Sequence, residues 1–226
     1  MEVMLAQADF VVVVCTLTEE TRHLIGANLE AHIRDLENCM TEAAGELEFE
    51  EAARLQIGFH LGFAELTEEN GKTHRYNTAI LVDPSGRIIG KYRKIHLPGH
   101  AEDDPKRMFQ HLEKRYFDVG NLGFKVWKAM DGLIGILICN DRRWPEAFRV
   151  LGLQGVELVL IGYNTPTLNG LLFEPPHLRA FHNHLSMQAG AYQNGTWVVG
   201  VAKAGREEGV DMMGRSVIIS PTGEIV

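Results

Sequence analysis

Apolar residues come in blocks along this chain, and the blocks differ in texture. "FVVVVC" (10–15), "GLIGILIC" (132–139) and "VELVLIGY" (156–163) are almost unbroken runs. Continuous β-branched runs predict strands covered on both faces, because a half-exposed strand would alternate with polar residues. Residues 18–56 follow another rule: Leu29, Ile33, Leu36 and Met40 recur at three- and four-residue spacing, with acids on the other side. That pattern predicts a packing helix with a solvated acidic face.

From Ile57 onward the texture is one of short strands and turns. "IGFHLGFAEL" and "YNTAILVD" flank Asn70-Gly71, a strong hairpin signal, and "PSG" (84–86) leads into "RIIGKYRKIHL" as a second hairpin. Two unbroken runs enclose the helical stretch "PEAFRVLGLQG" (145–155), which predicts a parallel βαβ unit. Another helix over "HLRAFHNHLSMQAGAYQNG" (177–195) closes on glycine, followed by "TWVVGVA" and "SVIISPTGEIV". "VDPSGRIIG" and "SPTGEIV" share the order strand, Pro, Gly, strand, which predicts two sheets built alike. No linker or low-complexity stretch interrupts the chain, so a single domain over 1–226 is expected.

Composition narrows the function. With 226 residues, 45% of them hydrophobic and 23% charged, the chain has the balance of a globular protein with a sizeable core. A formal net charge of −8 argues against a nucleic-acid partner, and the densest basic run is only Lys91, Arg93 and Lys94. Three cysteines, Cys15, Cys39 and Cys139, predict a reducing compartment and no disulfide framework. The opening residues lack a basic segment, and "FVVVVC" is too short to span a bilayer, so no membrane partner and a cytoplasmic address are expected.

Candidate chemistry centres on Cys139. It ends an apolar strand at the sheet edge where α/β folds bind ligands, and a turn and a helix opening near Pro145 follow. A helix N-terminus and the nearby Arg142 and Arg143 would favour the thiolate; the competing reading is an inert buried cysteine. Cys15 and Cys39 lack neighbouring positive charge. Alternation through "RIIGKYRK" places Ile89, Lys91 and Arg93 on one face and Gly90, Tyr92 and Lys94 on the other. Lys94 is either a solvated surface lysine or a cation that lowers a thiol pKa and holds an oxyanion. Glu113 sits between bulky residues in "FQHLEKRYF" (109–117). His177, His182 and His184 share one helix, but no carboxylate or cysteine joins them at ligand spacing, so neither a metal nor another cofactor is expected.

"YRKIHLPGH", "FQHLEKRYF", "ICNDRRWPE" and "GYNTPT", in that order, resemble the carbon–nitrogen hydrolase (nitrilase-like) superfamily. "CNDRRWPE" with "GYNTPT" is most similar to its N-carbamoyl-D-amino acid amidohydrolases, and the likeness runs from about Ile57 to Val226. The resemblance implies an α/β fold, a four-layer α-β-β-α sandwich, with an altered N-terminal part (1–56) and a shortened C-terminal part. It implies Cys139 as nucleophile, Lys94 as oxyanion-stabilising cation and Glu113 as an active-site acid. It further implies that Arg142 and Arg143 grip a substrate α-carboxylate, with His96, His111, Asn140, Asn164 and Thr165 at pocket positions. The implied partner is a small molecule, an N-carbamoyl-D-amino acid hydrolysed to D-amino acid, carbon dioxide and ammonia; the implied assembly is a homo-oligomer.

The superfamily also carries a general-base glutamate in a strand-end motif reading roughly Phe-Pro-Glu, whereas the matching edge here holds Val14 and Cys15. Glu19 and Glu20 lie just beyond it. Three readings therefore stand: a cysteine-dependent carbamoylase, a non-catalytic scaffold lacking the base, and a sister amidase or ureidopropionase-type hydrolase. Ending at "PTGEIV" is expected to leave a strand edge unpaired.

Overall fold

A computed structural model describes residues 10–14, 57–106, 110–168, 174–207 and 209–226. The helix expected over 18–56, Cys15, Cys39, Glu19 and Glu20 lie outside the described residues.

The first sheet has the order β1-β2-β3-β4. Strand β1 (Phe10–Val14) lies parallel to β2 (Gly58–Glu69), from Phe10 opposite Gly58 to Val14 opposite Gly62. Strand β3 (Lys72–Val82) returns antiparallel through Asn70 and Gly71, whose φ values of 54° and 75° are the pair of left-handed residues that a tight hairpin of matching twist requires. Strand β4 (Ile88–Arg93) pairs antiparallel with β3, with a bulge where Val82 faces Ile88 and Leu81 faces Gly90. The bulge corrects the expected alternation at one place. Ile89 packs against the core between the sheets, not on the face of Lys91 and Arg93, because the extra residue shifts the pleat.

The second sheet has the order β11-β8-β7-β6-β5. Strands β6 (Gly132–Ile138), β7 (Leu158–Tyr163) and β8 (Trp197–Ala202) are parallel, as the unbroken apolar runs require. Three strands were not expected from the pattern. Strand β5 (Val126–Ala129) forms a hairpin with β6 through Met130 and Asp131, both left-handed, with Asp131-Gly132 as a turn signal beside the unfavoured Met130. Strands β9 (Ala204–Glu207) and β10 (Val210–Met213) form a separate ribbon. Strand β11 (Val217–Ile219) pairs antiparallel with β8.

Helix α1 (Glu113–Tyr116) is a single turn; α2 (Pro145–Leu153) and α3 (Pro176–Asn194) pack on the second sheet. Ala147, Phe148 and Leu151, at helical spacing, seat α2 on Leu137, Val159 and Met187. Helix α3 ends on Gly195, whose left-handed φ of 61° lets its N–H reach back to the last carbonyls. Between the sheets, Ala79, Leu81 and Tyr92 meet Ile134, Ile136, Ile138 and Leu160. The described residues thus supply two sheets face to face and one outer helical layer. No helix among them is long and apolar enough to cross a membrane.

The echo between the two Pro-Gly turns is structural. Asp83 N–H donates to Arg87 O at 2.9 Å and Gly86 N–H to Asp83 O at 2.9 Å; Ser220 N–H donates to Glu224 O and Gly223 N–H to Ser220 O at the same 2.9 Å.

Candidate active site

Cys139 follows β6 directly and opens a five-residue 3₁₀ turn, Cys139–Arg143, that precedes α2. The sequence placed it near a helix N-terminus; it lies instead in this tighter turn, with φ of 45°. A left-handed non-glycine residue costs roughly 1–2 kcal/mol, so its surroundings must hold it there. Arg142 does part of this, donating from Nη1 to Cys139 O at 2.5 Å, with the same nitrogen 3.7 Å from Sγ. Burial alone would push the thiol up. The Lys94 and Arg142 charges outweigh burial and the opposing Glu113 carboxylate, and the thiol lies below its ordinary value.

Lys94 follows β4 and is 0% exposed. Its backbone N–H donates to Asn77 O, and its ammonium donates to both oxygens of Glu113, at 2.8 and 2.6 Å. Glu113 opens α1 and remains part exposed. Two close backbone approaches build the loops around this pair. A Cβ on Gly99 would stand 1.8 Å from His111 O, and one on Gly120 would stand 1.9 Å from Arg93 O, so only glycine fits at either place.

The two arginines differ. Arg142 is 1% exposed and spent internally: Nε donates to Asn183 Oδ1 at 2.7 Å, Nη2 to Thr165 Oγ1 at 3.0 Å, and the guanidinium lies 4.2 Å from the Tyr163 ring centre. Arg143 is half-buried and makes no hydrogen bond or ion pair to a described residue. Burial and the Arg142 and Arg179 cations lower its pKa, only partly offset by Glu174. Glu174 accepts from Arg179 Nη1 at 3.3 Å and lies 2.5 Å from His182 Nδ1. His111 is held near neutral-only chemistry, its pKa pushed down to about 4 by burial and by Arg179, Lys94 and Arg143.

The remaining predicted positions divide. Asn140 donates from Nδ2 to His96 O at 3.0 Å, and His96 stacks between Phe124 and Trp144. Thr165 is buried against Arg142, whereas Asn164 is exposed and reaches Glu207 at 3.4 Å. A cavity of about 570 Å³ shares His96 and Asn140 with the site and is also lined by Leu97, Phe117 and Trp144. Cys139, Lys94 and Glu113 do not line it. Sequence reasoning passed over Asp141, Asn183 and Arg179. Asp141 was within a quoted motif, but no spacing rule singles out an acid that is satisfied internally.

A thiol, an ammonium and a carboxylate gathered beyond a parallel sheet are groups of the kinds that attack on an activated carbonyl or nitrile carbon requires. The carbon–nitrogen hydrolase profile matches residues 23–226, and the chain belongs to that family. It is 34% identical over 167 residues to an N-carbamoylputrescine amidase of Arabidopsis thaliana, covering 70% of this chain and 52% of that one. It is 39% identical over 103 residues to a citrullinase of Francisella tularensis, covering 46% of this chain and 31% of that one. The chain thus spans about half the length of the plant relative and less of the bacterial one. The fold matches a carbon–nitrogen hydrolase of Helicobacter pylori with a TM-score of 0.73 at 23% identity, over 95% of this chain and 71% of that one. The nitrilase-like fold is therefore the fold of this protein.

Proposed function

We propose that this protein hydrolyses N-carbamoyl-D-amino acids to the D-amino acid, carbon dioxide and ammonia through Cys139. The observation that carries this reading is the Cys139 thiol, lowered by Lys94 and Arg142, next to a lysine that Glu113 holds by both oxygens. The thiolate attacks the carbamoyl carbon. Lys94 and the backbone N–H of Asn140 hold the oxyanion. One C–N bond breaks as its nitrogen takes up the proton that the thiol gave up, leaving a thiocarbamate on Sγ; water then cleaves the C–S bond, and the carbamic acid released loses carbon dioxide. Glu113 keeps the ammonium aimed.

Arg143 favours a carboxylate-bearing substrate. A half-buried guanidinium without a hydrogen-bonded partner among the described residues, beside two other arginines, is suited to bind an anion. Arg142 is already committed to Thr165, Asn183 and Cys139 O, so the carboxylate falls to Arg143. The same feature disfavours an amine-bearing substrate such as N-carbamoylputrescine. It leaves citrulline, which has both a carboxylate and a carbamoyl group, as the second reading, supported by the likeness to the Francisella protein.

Ammonia release separates these readings. N-carbamoyl-D-phenylalanine, its L-enantiomer, citrulline and N-carbamoylputrescine are incubated with the wild type and with Cys139→Ala. Cys139-dependent ammonia from the D-substrate is expected. Turnover of citrulline or N-carbamoylputrescine alone would transfer the protein to the sister hydrolases. No ammonia above the variant's level from any substrate would leave a non-catalytic scaffold.

A further inference from the structure

We propose that Asp141 is the positioning residue that sets Lys94 against Cys139. This deepens the reading above and rests on it only in taking those two as the reacting groups. Asp141 is 0% exposed, and its two oxygens accept four hydrogen bonds. Oδ1 accepts from the His96 backbone N–H and from His96 Nδ1, both at 2.9 Å. Oδ2 accepts from the Tyr92 hydroxyl at 2.8 Å and the Ile138 backbone N–H at 3.0 Å.

The placement of these donors gives the carboxylate its role. Tyr92 and His96 lie two residues before and two after Lys94; Ile138 immediately precedes Cys139, and Asp141 lies two after it. One side chain therefore brackets both reacting residues. The bond from Ile138 N–H spans Cys139 itself, closing the turn in which that residue holds its left-handed φ of 45°. The bonds from Tyr92 and His96 clamp the backbone on either side of Lys94 to that same turn. A carboxylate is acceptor-only with about four lone-pair sites, and here each meets a donor.

The donors are fixed in turn. Burial and the Asp141 charge push the Tyr92 phenol well up, so its hydroxyl remains a donor, and its oxygen also accepts from the Ile95 N–H at 3.2 Å. The ammonium of Lys94 is the largest cationic influence lowering the Cys139 thiol, and an attraction of that kind weakens as the separation grows. A displacement of the order of 1 Å in such a site can reduce turnover by roughly 10²-fold.

The test is the pH profile of Cys139 alkylation by iodoacetamide, read by mass spectrometry of the Cys139 peptide in the full-length protein. It is run on wild type, Asp141→Asn and Tyr92→Phe, with kcat and KM measured in parallel. Asp141→Asn turns an acceptor into an amide that opposes two of the donors. Its alkylation midpoint is expected to rise toward that of an ordinary thiol, with alkylation at neutral pH falling roughly tenfold for each unit. Its kcat is expected to fall by about 10²-fold at little-changed KM. Tyr92→Phe removes one of the four bonds without changing charge and is expected to shift the midpoint the same way, by less.

A folded Asp141→Asn protein with the wild-type midpoint would overturn the proposal. Should that variant fail to fold, a wild-type midpoint in Tyr92→Phe would overturn it instead. Alkylation needs no substrate, so absence of carbamoyl hydrolysis would defeat the functional reading and leave this one standing on its own result.

Discussion

The two faces of β4 carry the same kinds of side chain to opposite ends. On one face Lys91 and Arg93 converge on Glu65. Its carboxylate accepts from Arg93 Nε and Nη2 at 2.8 and 2.7 Å and from Thr78 Oγ1 at 2.7 Å, and it also pairs with Lys91. Arg93 continues to Glu69 and Asn121 and lies over the Tyr76 ring. Burial would raise Glu65, but these donors hold it at about 2. Two cations thus meet two carboxylates, and no charge is left to act. Across the pleat, Lys94 faces a different balance. Lys94, Arg142, Arg143 and Arg179 all lie within electrostatic reach of Cys139, with Glu113, Glu174 and the hydrogen-bonded Asp141 as the neighbouring carboxylates. The first network spends its charge on holding the sheet. The second keeps a cationic excess that a thiolate and an anionic substrate can use.

The largest effect is expected from Lys94→Met. Turnover should fall by about 10³-fold or more, and Cys139 alkylation near neutral pH should slow at least roughly tenfold, as kcat and iodoacetamide rates would show. Glu65→Gln tests the opposite face. It leaves Lys91 and Arg93 with a weakened buried partner and should cost about 3 kcal/mol in urea unfolding, with the Cys139 alkylation midpoint unmoved. A shifted midpoint would mean that the two faces are electrically one, and the contrast would fail.

Acid sharpens the distinction through His60. Both ring nitrogens are buried without a hydrogen-bond partner among the described residues, and burial lowers its pKa from 6.5 to about 4. The unfolded chain takes a proton below about pH 6.5 that the native state refuses until about 4. Stability therefore falls as pH drops through that window, by up to roughly 3 kcal/mol for this group. Glu65, with its pKa depressed, contributes stability above about pH 4.5 that is lost toward about 2. Unfolding curves of His60→Phe should lack the upper loss, and those of Glu65→Gln the lower. The smallest effect belongs to Arg143→Gln: KM for a carboxylate-bearing substrate should rise about tenfold or somewhat more, with kcat within a few-fold.

Much of this was legible in the residues. Unbroken apolar runs read correctly as the parallel strands β6 and β7, and Asn70-Gly71 marked its hairpin because both residues favour a left-handed backbone. The alternation that put Tyr92 and Lys94 opposite Lys91 and Arg93 held, since the bulge shifts Ile89 alone. The hidden features share a cause. At Met130 tertiary packing holds a left-handed backbone that the residue type does not favour, whereas the Asp131-Gly132 pair beside it is a turn signal the chain does carry. Arg142 and Arg143 are adjacent and chemically identical in the sequence; only Asn183 and Thr165, brought in from α3 and the end of β7, commit the first and leave the second available. Asp141 was hidden for the same reason, three of its four hydrogen bonds coming from Tyr92 and His96, more than forty residues upstream.

The most direct measurement is acid-quench mass spectrometry of the Cys139 peptide during turnover of N-carbamoyl-D-phenylalanine. A thiocarbamate on Cys139 that forms and decays during turnover is the predicted result, lost in Lys94→Met and unaffected in Glu65→Gln. Ammonia release that persists in Cys139→Ala, with no adduct on that peptide, would contradict it.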